Sequence, residues 1–190
     1  MVGALPHHPT RELSPDEIRR MLKAGDAAAR ALIGGLLSGL QVAESQTLEW
    51  SDVDVTGGTI RTRGQDVRTV PIGDEVRTLF QHHQQQRQPS AALVWGGSNA
   101  EPLSVEALDA VVRSAAYVAG VPAAQDVQAE TLRATYVAFL ARQGARLEAL
   151  EQAVGHLSAP LREDFQLLSP PGPGEDLEHL ERIYPALQSA

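Results

Sequence analysis

Residues 129–165 read AETLRATYVAFLARQGARLEALEQAVGHLSAPLREDF, and this stretch decides the fold class. Leu132, Tyr136, Phe139 and Leu140 recur at the spacing of one helix face, which predicts a helix that Gly144 ends. Leu147, Leu150 and Val154 give the following segment an apolar stripe of its own. A second helix therefore follows, closed by Gly155-His156, and a third begins before Phe165.

Working outward, Ser14-Pro15-Asp16-Glu17 reads as a helix start: Ser14 caps, Pro15 suits the first helical position and Glu17 completes a capping box. Asp26 caps a second helix running to about Ser38, with Gly39 as its stop. Thr59–Arg63 and Val67–Ile72 alternate in polarity and are rich in β-branched residues, so they form a hairpin around Gly64-Gln65-Asp66. Arg61 and Arg63 share one strand face, with Arg68 on the partner strand. A helix is expected over 74–88, with His82 and His83 on the surface, followed by a short apolar segment, Leu93-Val94-Trp95. Another helix spans 104–120, with Ala107, Leu108, Val111, Val112, Ala115 and Val118 inward; Tyr117 and Tyr136 both read as core. Prolines and glycines at 170–174 make a linker, and Leu177, Leu180, Ile183 and Leu187 predict a last short helix. The expected organisation is an irregular lead-in over 1–12, one domain over 13–169, the linker, and a helical tail over 175–190. The fold class is mainly α with a small antiparallel β-sheet (α+β).

Composition bounds the chemistry. The chain has 190 residues, 43% of them hydrophobic, and no cysteine, which excludes disulfides and thiolate metal sites. His7-His8 lack further ligands nearby in sequence, so no metal or other cofactor is expected. No stretch approaches the ~18 consecutive apolar residues of a membrane span. The first residues lack the basic and apolar regions of a signal peptide. A cytoplasmic protein is the resulting expectation. The net charge is −8, and Lys23 is the single lysine. Nucleic-acid binders ordinarily carry a basic surplus that displaces counterions from phosphate. The acidic balance therefore argues for weak DNA binding at most.

Several motifs nevertheless resemble the catalytic domain of the tyrosine recombinases, the phage integrase family. The segment Ser38-Gly39-Leu40-Gln41-Val42-Ala43-Glu44, followed by Leu48, Trp50, Asp52 and Val53, is similar to the family's Thr-Gly-Leu-Arg-x-x-Glu region and its continuation. Glu130-Thr131-Leu132-Arg133 stands where the family carries His-x-x-Arg, and Val154-Gly155-His156 where it carries Leu-Gly-His. The family's nucleophilic tyrosine lies nine residues past that histidine, and the ninth residue past His156 is Phe165. The family's first arginine corresponds to Gln41, and its hairpin lysine to Gln65. The resemblance implies a recombinase-type domain that keeps Arg133 and His156 and has lost the other catalytic groups. It also leads one to expect an amino-terminal DNA-clamping domain, or a protein that works without it.

The implied reaction cleaves DNA through a phosphotyrosine. It needs a phenol nucleophile, cations around the phosphate oxygens and a proton donor for the leaving hydroxyl. Phe165 has no oxygen to form that ester, and Gln41 lacks arginine's charge and bidentate fork. Glu130 lies three residues before Arg133, so the two are expected to pair across one helix face and neutralise the retained arginine. Without its companions, His156 reads as a buried helix-end histidine bonded to a backbone carbonyl. The DNA-binding candidates are Arg61, Arg63, Arg68, Arg133 and His156. Three functions follow: an inactive recombinase-like domain with a DNA-binding or accessory role, a protein-interaction module that reuses the fold, and an active recombinase with a relocated nucleophile. Expected partners are DNA, another recombinase, or a second copy through exchange of the C-terminal tail.

Overall fold

Side-chain caps set where the first helices begin. The computed structural model describes residues 10–64, 67–87, 91–97 and 101–188. At the start of α1 (Pro15–Ala24), the Glu17 N–H donates to Ser14 Oγ at 3.3 Å and the Ser14 N–H to Glu17 Oε2 at 2.8 Å. This is the capping box expected from sequence. The Ala29 N–H donates to Asp26 Oδ1 at 2.8 Å and starts α2 (Ala27–Leu36). Small residues let α2 sit at the centre. A Cβ added to Gly34 would lie 3.2 Å from side-chain atoms of both Val76 and Leu79, so α4 (Asp74–Gln86) approaches α2 closely at that point. Ala31, Leu32, Ile33 and Leu36 are fully buried.

After α3 (Val42–Thr47), three short strands form an antiparallel sheet in the order β1 (Val53–Asp54), β2 (Thr59–Arg61), β3 (Thr69–Pro71). Ile60 stands opposite both Val53 and Val70, and its side chain is fully buried with that of Val70. The hairpin continues past the ladder, where the Thr62 N–H donates to Arg68 O and the Arg68 N–H to Thr62 Oγ1, each at 2.9 Å. The remaining helices are α5 (Val105–Val118), α6 (Ala129–Arg142), α7 (Leu147–Val154) and α8 (Ala159–Leu168). Helix α6 is buried on almost every side, including Leu132, Tyr136 and Leu140. The protein is mainly helical with a small antiparallel sheet, as the sequence implied. Among the described residues no helix is long and apolar enough to cross a membrane.

Three expectations are corrected. His83 is buried, although it was read as a surface residue. The segment around Val94 returns to pair with 48–50, the Val94 N–H donating to Leu48 O and the Trp50 N–H to Ala92 O, each at 2.9 Å. That return covers the His83 ring, which lies beside Trp50 and Trp95, and brings its Nε2 to 2.8 Å from Val94 O. Burial pushes the His83 pKa below its ordinary value, against the Val94 hydrogen bond, which raises it. The folded state therefore holds fewer protons than the unfolded state near pH 6.5. Stability is fully present above about pH 6.5 and falls as pH drops through that value towards the depressed folded pKa. Urea denaturation at several pH values between about 5.5 and 7.5, where model carboxylates are already ionised, is expected to show this slope. His83→Gln is expected to flatten it. An unchanged slope in that variant would assign the effect elsewhere.

Helix α5 buries the expected face at Leu108, Val112 and Ala115, but not at its end. Leu108, Val112, Ala115 and Ala116 are buried, whereas Tyr117 and Val118 are 56% and 70% exposed. The paired alanines allow close packing, and the last residues before the helix ends overhang the core. The tail is not a helix. Residues 175–188 form a strap with two 3-10 turns, Leu177–His179 and Pro185–Leu187. Beyond the bonds within those turns, its backbone is held by the domain. Glu175 bridges to Ala145, Glu181 exchanges two hydrogen bonds with the Gln143 amide (2.8 and 3.0 Å), and Tyr136 Oη donates to Arg182 O at 2.8 Å. Tyr184 Oη donates to Leu13 O at 3.0 Å. Leu180, Tyr184 and Leu187 are buried, and the tail packs on its own domain.

Candidate functional site

Helix α6 carries Arg133 into the interior at the level where α7 ends, leaving the residue 4% exposed. Its Nη1 donates to Glu130 Oε1 at 2.9 Å, the pair expected from their spacing. Its Nη2 donates to His156 O at 2.9 Å and to Val154 O at 3.4 Å. The guanidinium therefore faces a carboxylate on one side and the end of α7 on the other. Gly155 makes this possible, with φ 74°, a conformation that favours glycine. A Cβ there would stand 2.1 Å from Gln41 Nε2. Gln41 also reaches this turn, at 3.4 Å from Val154 O and 3.5 Å from His156 O. An arginine and an amide thus converge on the carbonyls of residues 154 and 156.

Gln41 precedes α3, and its N–H donates to Glu44 Oε2 at 2.7 Å. Glu44 in turn holds Arg68. Arg68 Nη2 donates to Glu44 Oε2 at 2.9 Å, a second contact joins Nη1 to Oε1, and Nε lies 3.4 Å from Ala153 O. Both side chains are about nine-tenths buried. Arg68 was expected to face phosphate; it is instead an internal tie between the hairpin, α3 and α7. The reason is positional: Thr62 and Arg68 close the hairpin beside α3, where the Glu44 carboxylate needs a counter-charge.

Arg63 is exposed but engaged, 2.7 Å from Glu49 and 2.7 Å from Asp52. The Arg63 hydrogen bond holds the Glu49 carboxyl below its usual range. Arg61 is exposed and makes no ion pair among the described residues. Gln65, the expected counterpart of the family's lysine, lies outside the described residues, as do His7 and His8. No three His, Asp or Glu side chains among the described residues converge as metal ligands would.

His156 departs from the buried role expected of it. Its side chain is 69% exposed, with Nδ1 3.4 Å from Glu151 Oε1. Glu151 also accepts from Arg162 Nη2 at 2.8 Å and from the Leu157 N–H at 3.3 Å. Burial raises the Glu151 pKa, but these donors outweigh it and leave the carboxyl below its ordinary value. Phe165 sits in α8 and is buried. The buried phenols are occupied elsewhere: Tyr136 and Tyr184 donate to Arg182 O and Leu13 O, and burial pushes both pKa values up to about 12. Tyr117 is exposed on α5 rather than in the core. Beside His156 an open cleft of about 660 Å³ runs between Val67-Arg68 and α7, where it meets Glu148, Glu151 and Gln152. Arg68 is tied to Glu44 and Glu151 to Arg162, so Glu148 lines the cleft as an exposed carboxylate with no ion pair among the described residues. The Glu44–Arg68 and Glu151–Arg162 pairs were not read from sequence. Residue types gave the only signal, because the partners are 24 and 11 positions apart.

Comparison with known proteins places this geometry. The phage integrase family model matches residues 11–160. Tyrosine recombinase XerC 1 of Ralstonia nicotianae is 25% identical over 162 residues, covering 80% of this chain and 46% of the relative. XerA recombinase superposes with a TM-score of 0.71 at 22% identity, covering 84% of this chain and 61% of that one. XerH recombinase, solved bound to its difH substrate before cleavage, gives a TM-score of 0.67 at 20% identity, covering 85% and 50%. The chain spans about half the length of curated relatives it matches.

Proposed function

Because the chain belongs to the phage integrase family, we propose that it is a non-cleaving recombinase-type domain with an accessory role in DNA recombination, acting beside an active recombinase. One observation carries this reading: the Arg133 guanidinium is held by Glu130 and by the carbonyls of residues 154 and 156, not presented outward to a phosphate. The resemblance puts Phe165 at the nucleophile's position and Gln41 at the first arginine's, which supports the same conclusion. Nicked suicide substrates test it directly. No denaturation-resistant protein–DNA adduct is expected, and such an adduct would refute the proposal.

DNA contact in this reading is weak and non-specific. Of the hairpin arginines, Arg61 has no ion pair among the described residues, Arg63 exchanges its carboxylates for a phosphate, and Arg68 stays inside. Neutralising one or two phosphates gives a log–log salt slope of roughly −1 to −2. Fluorescence anisotropy with a duplex at several salt concentrations checks this, and Arg61→Ala is expected to reduce the slope by about one. Sub-micromolar binding insensitive to salt would contradict it. The exposed carboxylate of Glu148 in the cleft favours a second reading, a protein-interaction module that makes no DNA contact. A flat salt response with no measurable DNA affinity would select it.

A further inference from the structure

Away from the Arg133 turn, a pocket of about 260 Å³ lies between the end of α2, the β3–α4 corner and the C-terminal strap. Leu37, Ile72, Val76 and Leu187 make its apolar walls, and Gly73 and Arg182 also line it. Arg182 is unlike most arginines of this chain. It forms no ion pair among the described residues, and its Nε, like those of Arg87, Arg113, Arg133 and Arg162, is buried without an acceptor. Its guanidinium lies against the Tyr136 hydroxyl. A buried donor with no acceptor is unfavourable unless something fills the place. Gly73, which begins α4 without a side-chain cap, lies at one edge of the pocket, and the acidic residues of that first turn, Asp74 and Glu75, do not line it. The other polar side chains of the pocket, Ser38 and Tyr184, are already used, donating to Gly34 O at 2.8 Å and Leu13 O at 3.0 Å.

We infer that this pocket binds a small aliphatic carboxylate, with the carboxylate on Arg182 and the tail among Leu37, Val76 and Leu187. Apolar walls with one converging charged group are the usual construction of a small-molecule site. Guanidinium recognises carboxylate through a planar fork that ammonium lacks. Because the strap supplies Arg182 and Leu187, a bound acid also holds the strap to α2 and α4. The inference does not depend on whether the chain touches DNA.

The test is a ¹H–¹⁵N titration of the full chain with hexanoate, and with hexanamide as its neutral counterpart. Hexanoate is expected to bind with a Kd of roughly millimolar order, as befits so small a ligand, shifting Gly73, Val76 and Leu187. Hexanamide is expected to bind about tenfold more weakly, the loss of one charge-assisted contact. Arg182→Met is expected to weaken hexanoate about tenfold while leaving hexanamide unchanged, which also shows that the pocket is still folded. Arg182→Lys, which keeps the charge and loses the fork, is expected to fall between the two. Hexanoate is expected to slow proteolysis within the 170–174 linker. Equal binding of acid and amide, shifts confined to other surfaces, or no saturable shift would each overturn the inference.

Discussion

Glu44→Ala is expected to destabilise the protein by about 3–5 kcal/mol, the cost of leaving a buried charge without its partner. Arg68 and Glu44 are both about nine-tenths buried. Without the carboxylate, the guanidinium keeps, among the described residues, only the carbonyls of Gly39 and Ala153. The Gln41 N–H loses its acceptor as well, and a lost helix cap contributes about 1 kcal/mol. Most of the loss nevertheless reflects the abandoned charge rather than the strength of the pair. A Glu44→Leu, Arg68→Met double variant removes both charges and fills the space with apolar groups, an exchange that is often neutral. It is expected to recover most of the stability, leaving the cap deficit of about 1 kcal/mol. Urea denaturation of the single and double variants measures the coupling directly. A loss below about 1 kcal/mol in Glu44→Ala would mean that the pair behaves like an exposed one.

Phe165→Tyr alone is expected to give no covalent DNA adduct, even though it supplies the missing phenol. The phosphate that such a phenol would attack needs cations about its oxygens. Arg133 is committed to Glu130, and Gln41 carries no charge. A carboxylate ~4 Å from a phosphate costs on the order of 4 kcal/mol at an effective dielectric of about 20. Glu130 is 43% exposed, so solvent screening makes that figure an upper bound. Even half of it slows a reaction about thirtyfold. Adding Glu130→His and Gln41→Arg to the phenol is the informative comparison. If the single variant already forms an adduct on a nicked substrate, the Glu130–Arg133 pair does not block the pocket and the accessory reading loses its main support.

What was legible in the sequence was local. Ser14 with Glu17, Asp26 as a cap, the alternation around Ile60 and the stripes of α6 and α7 are properties of neighbouring residues, and each appears where expected. The Glu130–Arg133 pair belongs with them, because three positions along a helix fix its geometry. What failed depended on distant chain. His83 is polar and sits in a polar run, and nothing nearby announces that Val94 will cover it. Arg68 alternates like a solvent-facing strand residue, yet Glu44, 24 positions away, draws it inward. The tail has a helical stripe, but its backbone bonds to Gly144 O, the Arg146 N–H, the Gln143 amide and the Tyr136 hydroxyl, and these outcompete an isolated short helix. His156 likewise meets distant partners: Arg133 and Gln41 hold its carbonyl, while its ring faces outward beside Glu151.

The hydrogen bond from Tyr184 to Leu13 has a consequence for synthesis. It joins positions 171 residues apart. During translation α1 emerges early, at roughly 5–20 residues per second for the chain as a whole. Leu13 O then waits until Tyr184 has left the ribosome. The capping box at Ser14 and Glu17 requires nothing downstream, so α1 is provided with a local start during that interval. Its docking cannot finish until the strap arrives. Nascent chains stalled before residue 184 are therefore expected to expose the floor of the Arg182 pocket and the apolar seat of Leu187 to chaperones, and chains stalled well beyond it to conceal both.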